Sequence, residues 1–126
     1  MKNIIGVLAG LVLLLGHVLP ARSAMYDMVT VKLQEGCTLD QLSKIVDDVA
    51  AYAKDNGGGT YELLAPLHSS QQGVFIVLER FPNATAFGTW TDHFGGQPDD
   101  SVAGKIRTRA YECVTIVNHT SALSVQ

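Results

Sequence analysis

The sequence predicts an α+β domain with the element order β-α-β-β-α-β, and three observations carry it. Residues 26–34 alternate apolar and polar side chains with the period of a strand, and residues 39–53 repeat apolar side chains at spacings of three and four, the period of a helix. The third is the run Gly73-Val74-Phe75-Ile76-Val77-Leu78-Glu79, short, β-branched and apolar at both parities. A strand apolar on both sides needs cover on both faces. Helices of one small chain cover one of them, so a second copy of the chain is expected on the other.

The first strand places Val29, Val31 and Leu33 on one face and Met28, Thr30, Lys32 and Gln34 on the other. Gly36-Cys37 turns the chain, and Thr38-Leu39-Asp40-Gln41 has the form of a capping box, in which the Thr hydroxyl and the Gln side chain satisfy free N–H groups at a helix start. Leu39, Leu42, Ile45, Val46, Val49 and Ala53 form the apolar stripe of that helix, which Asn56-Gly57-Gly58-Gly59 stops. The second strand is expected over 60–68, with Pro66 at an edge or bulge because it has no N–H to donate. Residues 69–73 make the loop to the third strand. After Phe81-Pro82, Asn83 caps a second helix whose Ala86, Phe87, Trp90 and Phe94 share one side, and Gly95-Gly96 closes it. A helical turn is expected over 101–106 and a fourth strand over 110–117, with the polar tail from Asn118 loose or used in pairing. This order is the split, ferredoxin-like motif: an antiparallel four-stranded sheet with its helices on one face. Right-handed crossovers set the first and third strands side by side and the fourth antiparallel to the first. Cys37 then falls beside Cys113 and a disulfide is expected, two separately buried thiols being the alternative.

At the N-terminus, Lys2 precedes an uncharged run through Ile4, Val7 and Leu11 to Leu15, and Ala21-Arg22-Ser23 offers a small-residue cleavage site. Residues 1–23 therefore read as a signal peptide, making the protein exported, periplasmic or secreted, and residues 24–126 as one domain. An uncleaved anchor is the alternative, since no charge falls between Lys2 and Arg22; membrane attachment follows only if residues 1–23 are retained. Nine basic and twelve acidic residues in the whole chain become seven and twelve in 24–126, a net charge of −5 without a basic cluster. That composition argues against nucleic acid as a partner. Export also suits the disulfide expected of the two cysteines.

The stretch Val77-Leu78-Glu79-Arg80-Phe81-Pro82-Asn83-Ala84-Thr85-Ala86-Phe87 resembles the antibiotic-biosynthesis-monooxygenase domain family. That family's pattern is an apolar strand, a Glu, an aromatic residue, a short turn, then a helix that starts with Ala and an apolar residue and carries His further along. Here these are Glu79, Phe81, Ala86-Phe87 and His93-Phe94. The order of elements matches throughout residues 24–126, the motif over about twenty residues. The resemblance implies a ferredoxin-like protomer that pairs sheet to sheet into a dimeric α+β barrel. Two positions depart from the pattern: Trp90 stands where members often have His, and Phe81 where Trp is common. Family members that oxidise aromatic polyketides, or degrade haem, use Asn and Trp side chains in the pocket, and Asn83 is the nearest match for that Asn.

As an enzyme of that kind the chain would oxidise a small phenolic or quinol-type substrate with O₂ and no cofactor. His93 would take the proton, Trp90, Phe87 and Phe94 would wall the pocket, and Tyr61 and Asn83 would hydrogen-bond the substrate. The same residues have plainer readings: Trp90 as core, His93 solvated at a helix end, tyrosines filling edges and Asn83 as a cap. No pair of histidines has the spacing of two metal ligands on one helix turn, and no metal is expected. The competing class is a non-catalytic ligand-binding module, or an accessory subunit of a membrane-associated assembly. Asn83-Ala84-Thr85 and Asn118-His119-Thr120 match the glycosylation pattern, which has meaning only in a eukaryotic secretory host.

Overall fold

The computed structural model describes residues 23–68 and 72–125. Within them the chain runs β1 (Met25–Leu33), α1 (Leu39–Asp55), β2 (Thr60–Leu64), β3 (Val74–Phe81), α2 (Ala84–Gly96), α3 (Val102–Cys113) and β4 (Val114–Leu123). The sheet order is β2-β3-β1-β4 with every neighbouring pair antiparallel, the expected α+β, ferredoxin-like arrangement. Residues 1–22 of the expected signal, and 69–71 of the expected β2–β3 loop, lie outside the described residues.

Three boundaries differ from expectation. β2 stops at Leu64 rather than His68, two residues before Pro66, whose missing N–H cannot continue a ladder. The helical turn expected over 101–106 is a full helix, α3, because Ala103, Ile106, Ala110 and Cys113 recur at spacings of three and four and turn inward together. β4 accordingly starts at Val114, and the polar residues from Asn118 are its second half, paired along β1 as far as Leu123.

Each helix begins on a side-chain cap. Thr38 Oγ1 accepts from Gln41 N–H at 3.3 Å while Thr38 N–H donates to Gln41 Oε1 at 2.8 Å, the full capping box. Asn83 Oδ1 accepts from Ala86 N–H at 2.8 Å, and Ser101 Oγ from Gly104 N–H at 3.0 Å.

Two apolar clusters fill the space between sheet and helices. The larger joins Val31, Leu42, Ile45, Val46, Ile106, Cys113 and Val114. The smaller joins Met25, Ala53, Phe81 and Trp90 at the other end of the strands. Cys37 and Cys113 are disulfide-bonded, tying the turn before α1 to the end of α3. Gln34 reinforces the same corner, its Nε2 donating to the carbonyls of Tyr111 and Val114 at 2.9 Å each.

Candidate functional site

Strand pairing assembles the site from one row of residues. Tyr61 of β2 is opposite Glu79 of β3, Glu79 opposite Asp27 of β1, and Asp27 opposite Ser121 of β4. Cross-strand partners share a face, and this face is the one turned to the helices, because Val29, Val31, Val77 and Phe75 lie on it two and four residues along. A polar side chain from each strand thus crosses an otherwise apolar surface.

A one-residue irregularity brings β4 into the row. Val31 pairs with Ile116 and Thr30 with Asn118, so Val117 is an extra residue, a bulge. Before it, Val114 and Ile116 face the helices; after it, His119 and Ser121 do. Without the bulge, period-two alternation would turn Asn118 and Thr120 inward instead.

Asp27 is 3% exposed, the only charged side chain buried to that extent among the described residues. Its Oδ2 lies 2.7 Å from His119 Nε2, and its Oδ1 accepts from the Ser121 hydroxyl. Glu79 has no ion-pair partner among the described residues. Burial, and then the negative charge of Asp27, push its carboxyl up to about 7, against smaller pulls downward from the Tyr61 hydroxyl and His119. Tyr61 is driven far above its ordinary value, first by burial and then by the charge of Glu79, so it stays a hydroxyl. Its oxygen accepts from Trp90 Nε1–H at 2.6 Å, which leaves its own proton free to point toward Glu79.

These groups open on a cavity of about 340 Å³ between the sheet and the helices, lined among others by Asp27, Tyr61, Glu79, Phe87, Trp90 and Phe94. That volume is near the lower end of the roughly 300–1,000 Å³ of small-molecule sites. Trp90 stacks on Phe94 with centroids 5.1 Å apart, and Phe87 meets Phe81 edge to face at 5.2 Å. Two glycines let the wall close. A Cβ at Gly58 would stand 2.6 Å from Ala53 Cβ and 2.9 Å from the Trp90 ring, and one at Gly59 would stand 2.4 Å from the Arg80 carbonyl oxygen. Arg107 also borders the cavity, but its guanidinium is engaged with the carbonyls of Phe94 and Gln97 and with Asp99, fastening the C-terminal end of α2.

Of the residues singled out from sequence, Trp90, Phe87, Phe94 and Tyr61 come together in this cavity. His93 is not among its lining residues: its ring stacks on Tyr52 at 6.2 Å, with Nε2 3.3 Å from the Tyr52 hydroxyl. Asn83 sits exposed at the start of α2 as its cap. Cys37 and Cys113 are bonded to each other at the far corner. Asp27 and His119 are the additions, joined by Glu79 of the motif, and the two acids carried a signal. Each is an acid at a parity otherwise held by apolar residues, Met25-x-Asp27-x-Val29 and Val77-x-Glu79-x-Phe81. Among the described residues no group of three or more acidic, His or Cys side chains is arranged to hold a metal ion.

Comparison with models of known families and with curated proteins gives no match. Solved structures do match, at identities that speak to the fold alone. A hydroxynitrile lyase from Passiflora edulis aligns with a TM-score of 0.60 at 11% identity, over 83% of this chain and 96% of that one. A candidate antibiotic biosynthesis monooxygenase from Caulobacter crescentus aligns at 0.58 and 19% identity, over 83% and 92%. A dimeric ferredoxin-like protein of unknown function from Thermobifida fusca aligns at 0.54 and 11%, over 84% and 93%. The fold is therefore the ferredoxin-like α+β fold that these solved structures share.

Proposed function

We propose that the cavity is a proton-abstracting site for a small, flat phenolic or quinol-type molecule, and that Glu79 is the base. The observation carrying this reading is a carboxyl held at about 7 beside a hydroxyl donor in an aromatic-walled cavity. A base with that affinity is about half ionised at neutral pH and strong enough to accept a proton from a bound phenol. Trp90 and Phe94 offer faces for stacking, and once Glu79 has taken the substrate's proton the Tyr61 hydroxyl can turn from it to donate to the oxygen that becomes negative. His93, turned to Tyr52, is the less favoured base.

The resemblance and the Caulobacter neighbour make cofactor-free oxygenation the reaction class to test. In balanced form, 1-naphthol plus O₂ gives 1,4-naphthoquinone plus water: one oxygen atom enters the ring, the other leaves as water, and the substrate supplies every electron. The experiment follows O₂ uptake and quinone absorbance with 1-naphthol. The expected result is turnover that rises with pH through about 7 and falls about 100-fold or more in Glu79→Gln. Wild-type rates in Glu79→Gln would overturn the assignment of the base. Calorimetric binding of 1-naphthol that Trp90→Ala abolishes, without any O₂ uptake, would favour the non-catalytic module.

The same proposal covers assembly and address. Met28, Ile76 and Leu78 lie at the outward parity of the central strands, which suits a homodimer formed through the sheet face, as does the dimeric Thermobifida neighbour. Sedimentation of residues 24–126 as a single copy would remove it. Export rests on the sequence of residues 1–23 and agrees with the Cys37–Cys113 bond; a mature protein that still begins at Met1 would argue for an anchor.

A further inference from the structure

We infer that Asp27 and His119 are positioning residues for Glu79: the bulge at Val117 turns the edge strand so that an imidazole–carboxylate pair faces the Glu79 carboxyl and governs its charge. The inference rests on the reading of Glu79 as the base and names what tunes it.

The geometry is specific. Asp27 stands directly across from Glu79 in the sheet, on the same face and beneath the same cavity. It is held from the other side by His119 and Ser121, which reach it only because Val117 is extruded from the β1–β4 pairing. Asp27 is 4% exposed at its side chain whereas His119 is 53% exposed, so the pair runs from the interior to solvent. Bulges serve this purpose elsewhere, re-aiming side chains beside a site.

Few other ionisable groups border the cavity. β2 contributes Tyr61, whose hydroxyl stays protonated. α3 contributes Arg107, engaged with the end of α2, and Tyr111, which is mostly exposed. The lining residues from α1 and α2 are uncharged. Beyond burial and the Tyr61 hydroxyl, the charge of Glu79 therefore answers to Asp27, which opposes it, and to a proton on His119, which favours it. With the imidazole protonated, Asp27 is neutralised locally and Glu79 ionises readily. With the imidazole neutral, the bare Asp27 charge holds the proton on Glu79.

The test reads the titration midpoint of the Glu79 side-chain carboxyl carbon by NMR, in the ¹³C-labelled chain without ligand. His119→Gln is expected to raise the midpoint, His119→Lys to return it toward the wild-type value, and Asp27→Asn to lower it. A midpoint that stays put in His119→Gln overturns the inference. The His119 side chain is half exposed on an edge strand, so that variant does not depend on repacking the core, even if Asp27→Asn fails to fold. No turnover is read here. Glu79→Gln with undiminished activity would end the role of Glu79 as base and leave this coupling standing, whereas an unmoved midpoint would end the coupling and leave that role standing.

Discussion

The two halves of the helix-facing sheet surface are built from the same four strands and serve opposite ends. Toward Cys37 and Cys113 the surface is Val31, Phe75 and Val114 under Leu42, Ile45 and Ile106, sealed by a covalent bond. Toward Met25 and Phe81 it carries two neighbouring carboxyls, a tyrosine and a histidine under a tryptophan. The first half gains stability from every contact. The second gives stability up, since like charges side by side in a buried row oppose folding unless one holds a proton. Apolar packing and the polar row are thus separated along the strands rather than between layers.

The separation can be broken at either end. The largest effect is expected at the sealed end. Replacing Cys37 and Cys113 together by Ser opens a cross-link between residues 76 apart in sequence. In the chain-entropy account this costs about 4 kcal/mol, measured as a shift in urea unfolding, and naphthol binding in the still-folded chain should be unchanged. A large loss of binding would show that the halves are coupled after all.

A slightly smaller effect, of opposite sign, is expected at the polar end. Glu79 holds its proton up to about pH 7 in the folded chain but only to about 4.5 when unfolded. Between those values the folded state binds the additional proton, so stability falls as pH rises through the window. Above it, the cost amounts to about 3 kcal/mol. Glu79→Gln should therefore match the wild type at pH 4 and exceed it by about that amount at pH 8. Urea unfolding at the two pH values checks this, and equal stability at pH 8 would mean that the row carries no cost.

The smallest effect sharpens the boundary of the site. Asn83→Ala removes the cap of α2 and should cost about 1 kcal/mol in thermal unfolding, with ligand affinity intact. A change in affinity beyond that of a frayed helix end would bring Asn83 back to the cavity.

Most of the fold was legible because it is written in periods. The capping box at Thr38, the stripe of α1 and the doubly apolar β3 fixed the topology, and the topology placed Cys37 beside Cys113. α3 is only half legible because its inward stripe uses Ala103, Ala110 and Cys113, small residues that announce a helix face weakly. The aromatic wall was legible from the spacing of Phe87, Trp90 and Phe94. The charged floor was harder to see. Asp27 and Glu79 break the alternation of their strands, but their adjacency depends on the β1–β3 register, and the approach of His119 depends on one extruded valine that no local pattern marks.

Gly58 reaches beyond this one chain. Because the backbone there passes Ala53 and the indole of Trp90 with only hydrogen between them, bulk at the three positions is a shared quantity. A chain of this fold that carries any larger residue in place of Gly58 has to surrender volume at 53 or 90. The three sites should therefore vary together.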